Sequence, residues 1–182
     1  GEPIARMARS YRNLADSMLQ SVIQHLEKLV SFDTRNPPRD IGTDGIFDYL
    51  RTQLADFTIE VTDHGAGAVS FFAVRGQPKR VFNVHLDTVP SSPAWSADPH
   101  VLRIEGDRAI GLGACDIQGA AAALVAAAQV TKGDAAFLFT TDEEANDARC
   151  IAAFLARDHG FGEAIIAEPT QCQAVLAHRG IS

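Results

Sequence analysis

The sequence predicts an α/β fold, a mixed, mainly parallel sheet flanked by helices. Three observations carry that expectation. Runs of β-branched and aromatic residues alternate with stretches whose apolar residues recur at helical spacing. From residue 135 onward strand and helix alternate, an order that implies parallel strands joined by right-handed crossovers. Four extended apolar runs each stop at a histidine or a carboxylate, and in open α/β sheets binding groups collect at the carboxyl ends of strands.

The elements follow in order. Leu14, Met18, Val22, Ile23, Leu26, Leu29 and Val30 predict an amphipathic helix over 14–30, after an N-terminal arm over 1–13. Ser31 to Gly42 contains Asn36-Pro37-Pro38 and predicts a loop. Ile46, Phe47, Leu50 and Leu54 mark a second helix over 43–55. Strands are expected at 57–61 and 69–74, with a turn at His64-Gly65-Ala66-Gly67. Residues 80–84 are apolar enough for a central strand. A loop over 88–99 carries Pro90, Pro93, Pro99 and Trp95, and a short hairpin surrounds Glu105-Gly106-Asp107. The alanine-rich stretch 119–130 predicts a helix packed closely on the sheet. Strand 135–140, helix 145–158, and strands 163–167 and 173–177 complete the reading.

Composition narrows the function. Sixteen Lys and Arg against 23 Asp and Glu give a net charge of −7, which argues against a nucleic-acid backbone as partner. Cys115, Cys150 and Cys172 lie far apart without a C-x-x-C pair, so neither a disulfide framework nor a zinc finger is indicated, and reduced thiols in a cytoplasm fit best. The most apolar segment, 119–128, is about half the length a bilayer span requires, so no membrane partner is expected.

The candidate chemistry sits where the apolar runs stop. His85-Leu86-Asp87 ends the first run, and residues two apart in an extended segment point the same way. A carboxylate beside a liganding imidazole can hold its ring and tautomer, although an isolated H-x-D is more often a strand-end His and a turn Asp. Asp116 ends Gly111-x-Gly113-x-x-Asp116, where a dinucleotide-binding reading fails because the third glycine is missing and no strand leads into the first. Its carboxylate could bridge two cations or cap the next helix. Asp142, Glu143 and Glu144 open the following helix, where acidic residues are favoured by the helix dipole. One of the two adjacent glutamates can bind metal while the other reaches a water, and Asp142 and Asp147 are assigned to capping. Glu168-Pro169-Thr170 follows a buried strand, and its ordinary reading is a solvated turn. His25, His64, His100 and His159 are expected at the surface, and Cys115 as a small buried residue. One His and several carboxylates on one sheet rim could hold a pair of divalent cations suited to hydrolysis.

The ordered set His85-Leu86-Asp87, Gly111-x-Gly113-x-x-Asp116-x-x-Gly119, Glu143-Glu144 and Glu168-Pro169-Thr170 resembles the M20 family of metallopeptidases and deacylases. Within it, the pattern is most similar to the deacetylases of N-acetylornithine and N-acetylcitrulline, and Ser31-Phe32-Asp33-Thr34-Arg35-Asn36-Pro37 also fits. The resemblance implies that Asp116 bridges two metals, zinc by default or cobalt, while His85 and Glu168 complete one site and Glu144 holds the other. It implies Glu143 as general base, Asp87 as the group orienting His85, and a cis peptide at Asp116–Ile117. The implied activity is amide hydrolysis of an N-acyl amino acid in arginine biosynthesis. A dipeptidase or aminopeptidase of the same family, or a non-catalytic metal-binding domain, are the alternatives. One place departs from the pattern: Gln118 stands where the family usually has Lys. The resemblance further implies that 14–177 form the first part of a catalytic domain and that His178-Arg179-Gly180 begins the junction to a lid. That lid would mediate a homodimer and bring the remaining histidines, so these residues alone are expected to be inactive.

Overall fold

The computed structural model describes residues 2–177, with side chains from Asn13 onward. The expected junction at His178-Arg179-Gly180 lies outside the described residues. Four helices and seven strands are arranged in chain order as α1 (Glu2–Val30), α2 (Ile46–Gln53), β1 (Thr58–Asp63), β2 (Val69–Arg75), β3 (Arg80–His85), β4 (Arg103–Glu105), β5 (Arg108–Ile110), α3 (Gly119–Val130), β6 (Ala135–Thr140), α4 (Arg149–Leu155) and β7 (Glu163–Ile166).

Five strands form one sheet in the order β1-β2-β6-β3-β7, and β4 and β5 form a separate hairpin. The β1–β2 and β2–β6 ladders are antiparallel, and the β6–β3 and β3–β7 ladders are parallel. The sheet is therefore mixed, as the sequence predicts, with its parallel half on the side of β3. Strand β3 is paired on both edges, which suits its apolar sequence.

Alternation along the strands builds two cores. Phe71, Ala73, Phe137, Phe139 and Val84 face one side, where they meet α1, α2 and the alanine-rich α3. Phe47 of α2 stacks on Phe71 with ring centroids 5.8 Å apart, and Phe71 meets Phe139 edge-on at 5.9 Å. The intervening Phe72, Val74, Ala136, Leu138 and Val81 face the other side, against Ile151 and Phe154 of α4 and Phe161. In α3 the buried residues are mostly alanines, so no long side chain holds that helix away from α1 or the sheet.

Several elements differ from the sequence expectation. Helix α1 begins at Glu2, within the expected arm. The expected helix over 145–158 is shorter at both ends: Asn146 adopts a left-handed φ of 52°, so Asp142–Asp147 is a turn and α4 starts only at Arg149. No strand forms over 173–177; that stretch is exposed and follows left-handed Gln171 and Cys172, which turn the chain away. His25, expected at the surface, is buried because it bridges helices, with Nδ1 2.6 Å from Tyr49 Oη and Nε2 3.1 Å from Gln129 Oε1. Cys115, expected to be buried, is exposed, since Ile117 and Gln118 take the inward positions of its turn. Among the described residues no helix is long and apolar enough to cross a membrane.

Candidate metal centre

The site lies where β3 and β6 end. His85 is the last residue of β3 and pairs in register with Thr140, the last residue of β6. The chain leaves β3 through Leu86 and Asp87, and Leu86 N donates to Thr140 O at 2.7 Å. His85, Leu86, Asp87 and Thr88 are all buried. Two neighbouring segments grip them. From the 31–42 loop, Thr34 Oγ1 donates to Leu86 O at 2.7 Å, and Asn36 Nδ2 donates to Asp87 Oδ2 at 2.9 Å. From the turn ahead of α3, Gln118 Nε2 lies 3.2 Å from both Leu86 O and Thr34 Oγ1.

The Asp116 segment reaches the site through Gly113, whose φ of 74° is left-handed. A Cβ there would come 2.5 Å from Thr88 Cγ2, so both the backbone shape and the close approach favour glycine. The following turn, Ala114–Gln118, contains the cis peptide Asp116–Ile117 that the family resemblance implied. Asp116 does not cap α3; its side chain is 53% exposed and faces His85, with Oδ1 3.2 Å from Nε2. Asp142 and Asp147 accept from the first N–H groups of α4, although its N-cap position is Ala148: Asp142 Oδ2 accepts from Cys150 N at 2.8 Å, and Asp147 Oδ1 accepts from Arg149 N at 3.2 Å.

The other imidazole nitrogen is held by Asp87. Nδ1 lies 3.0 Å from Asp87 O and 3.4 Å from Asp87 Oδ1. Asp87 Oδ2 also accepts from Glu144 N at 2.9 Å, so this buried carboxylate links the end of β3 to the acidic turn. Burial pulls the imidazole's pKa down, but the Asp87 carboxylate outweighs it, with help from Glu143, and the pKa is pushed up to about 9. Burial raises the Glu144 carboxyl; the His85 charge opposes that, while Asp116, Glu143 and Asp87 add to it. Carboxylates are thus crowded around one imidazole, the charge pattern that a divalent cation relieves.

Of the residues singled out in the sequence, the structure brings six together. His85, Glu143 and Glu144 offer donor atoms within 4.8 Å of one another, and so do His85, Asp116 and Glu168. Asp87 stands behind them against the ring. A mixed imidazole and carboxylate donor set fits a borderline divalent cation such as zinc or cobalt. The sequence noted Asn36 as a turn former and as part of the Ser31–Pro37 segment that fits the family, and Gln118 only as a departure, with no site role given to either. Both prove to be buried donors to the His85–Asp87 segment. The one visible signal was the polar residue at each place, which carries no distance information. Cys150 is a bystander, its thiol pushed up to about 12 by burial.

Comparison with known proteins agrees with this geometry. Residues 81–179 match the family described as Peptidase family M20/M25/M40. The chain is 69% identical over 166 residues to the N-acetyl-L-citrulline deacetylase of Xanthomonas campestris pv. campestris, covering 91% of this chain and 45% of that protein. It is 32% identical over 162 residues to the succinyl-diaminopimelate desuccinylase of Wolinella succinogenes, covering 84% of this chain and 43% of the relative. The chain thus spans less than half the length of these relatives. Human carnosine dipeptidase 1 superposes with a TM-score of 0.67 at 19% identity, over 86% of this chain and 40% of its own. The Saccharomyces cerevisiae di-peptidase Dug1p superposes with a TM-score of 0.61 at 15% identity, over 84% of this chain and 39% of its own. With the family match spanning more than half of its residues and the donor groups converging at the strand ends, this chain belongs to the M20 peptidase family.

Proposed function

We propose that the protein hydrolyses the amide bond of an N-acyl amino acid with the help of divalent metal ions, and that its substrate is N-acetylcitrulline or N-acetylornithine in arginine biosynthesis. The observation that carries this reading is the meeting of His85 with Glu143 and Glu144 on one side and with Asp116 and Glu168 on the other. The 69% identity to an N-acetyl-L-citrulline deacetylase supports the substrate class.

In this reading His85, Asp116 and Glu168 would hold one ion, and Asp116 and Glu144 would contribute to a second in the full-length protein. Zinc or cobalt bound there would polarise the amide carbonyl and make a water more acidic. Asp87 keeps Nδ1 of His85 engaged, which leaves Nε2 on the side of Asp116, where it could serve as a ligand. Glu143 accepts a proton from the attacking water as the new carbon–oxygen bond forms. It returns that proton to the amide nitrogen as the carbon–nitrogen bond breaks, giving acetate and the free amino acid. Residues 14–177 would supply the first part of the catalytic domain, with a lid domain mediating a homodimer in the cytoplasm.

The test is Glu143→Gln in the full-length protein, assayed on acetylated amino acids and on dipeptides. Turnover of the acetylated substrates should fall about 10²–10⁴-fold while zinc stays bound. Unchanged turnover would refute the assignment of the base, and preferential cleavage of dipeptides would refute the substrate class.

A further inference from the structure

The 31–42 loop touches the site through Thr34, which holds the Leu86 carbonyl, and through Asn36, which holds a carboxylate. Asn36 is 2% exposed, and its Nδ2 donates to Asp87 Oδ2. Asp87 is fully buried, and that same oxygen takes its second hydrogen bond from Glu144 N. The remaining oxygen, Oδ1, has no hydrogen-bond partner and lies 3.4 Å from His85 Nδ1. A buried carboxylate can turn about its bond to Cβ, and its partners decide whether an oxygen faces the imidazole. With two donors on Oδ2, the group is left with Oδ1 facing His85.

The loop that presents Asn36 is itself fastened. Asn36 N donates to Thr88 O at 2.7 Å and Thr88 N donates to Thr34 O at 3.0 Å, so the loop runs as a short parallel bridge beside the end of β3. Farther along, Arg39 Nη2 lies 3.2 Å from Asp147 Oδ2, which fixes the loop to the turn carrying Glu143 and Glu144. Gly67 packs beneath: a Cβ there would come 2.3 Å from Arg39 O. Asn36 is therefore held at both ends while it holds Asp87.

We propose that Asn36 is a positioning residue for the metal centre, acting through Asp87 on both His85 and Glu144. The inference rests on the metal-dependent reading above. Its test is zinc affinity, measured on the 182-residue chain by competition with a chromogenic chelator, with the visible spectrum of the cobalt-loaded chain as a report on ligand geometry. Asn36→Ala should weaken zinc binding about 10–100-fold and shift the cobalt bands. The same substitution made on an Asp87→Ala background should cause no further loss, because the two act in series. Asn36→Asp, which keeps the shape and the backbone bond to Thr88 but removes the donor, should weaken binding at least as much. A purely structural Asn36 would lower the unfolding midpoint and leave affinity and spectrum unchanged. That result, or losses that multiply in the double variant, would overturn the proposal while leaving the metal reading standing. A full-length wild-type protein that takes up neither zinc nor cobalt would overturn both.

Discussion

On one side of the candidate site, the His85 and Asp87 side chains are 3% and 0% exposed, and Asn36, Thr34, Gln118 and Glu144 N hold them or the carbonyl between them. On the other side, Asp116 is 53% exposed, and Glu143 and Glu168 are exposed too. The same unevenness runs through the fold. The β2–β6–β3 half carries the aromatic core, whereas every residue of β7 is exposed. The difference teaches how such a centre is assembled. The imidazole is set by the scaffold, whereas the carboxylates at the open face lie largely in water. Changes on the buried side should therefore cost stability and site geometry together, and changes on the open side should cost far less.

The largest effect is expected from His85→Ala. It removes the one residue common to both donor groups and strips Asp87 of the imidazole beside it. Zinc affinity should fall by more than the roughly 10–100-fold typical of losing an orienting partner. Chelator competition on the 182-residue chain measures this. Affinity within a factor of a few of the wild type would place the metal elsewhere and break the comparison.

Phe139→Ala probes the same half without touching a donor. The ring is fully buried, edge-on to Phe71, and in register with Val84 one residue before His85. Its loss should cost about 3–5 kcal/mol, read as a shift in the urea unfolding midpoint. A cost near that of a surface substitution would mean that the β2–β6 core is not what holds the rim.

The unevenness also explains what could be read from the sequence. The strands announced themselves because β6 is buried on both faces and β2 and β3 are buried or half-buried along most of their length, so apolar residues dominate all three. The donor residues were legible because a charge that ends such a run must lie at the rim. Contacts between distant segments were not. His25 reads as one polar residue on a helix face, and only the arrival of Tyr49 and Gln129 from two other helices buries it. Asn36 reads as the residue before Pro-Pro, and nothing local says that it meets a carboxylate 51 positions away. The apolar run Ala174-Val175-Leu176-Ala177 has strand composition, yet it has no partner strand among the described residues, and composition alone cannot supply one.

Acid should discriminate the two sides less strongly, through Asp147. The Arg149 guanidinium, opposed by burial and aided by Arg39 and Arg149 N, holds this carboxyl well below the usual carboxylate range. A carboxyl whose pKa is lowered on folding stabilises the fold above its unfolded pKa of about 3.9, and that contribution is lost as pH falls through the folded value. Asp147→Asn should therefore be less stable than wild type at pH 7, with the gap closing progressively under acid. Urea midpoints across the acid range measure the gap. No gap at pH 7, or one that stays constant on acidification, would show that the charge of Asp147 in the Arg39–Asp147–Arg149 link contributes nothing to folding.

The smallest effect should come from the open end. Leu176 has a relative exposure of 101%, and Ile166 on β7 is 64% exposed. Neither side chain is much removed from water in this structure, so truncation gives back little transfer free energy and leaves no cavity. Leu176→Ala should change the stability of the 182-residue chain by no more than about 0.5 kcal/mol, and Ile166→Ala by only slightly more. The measurement is the same urea midpoint used for Phe139→Ala, so the middle of the sheet and its open edge are compared on one scale. If Ile166→Ala instead cost as much as the core substitution, β7 would have to be covered in solution. The contrast between a scaffold-set half and an open half would then fail at its outer edge, while the result for His85 would still decide the inner one.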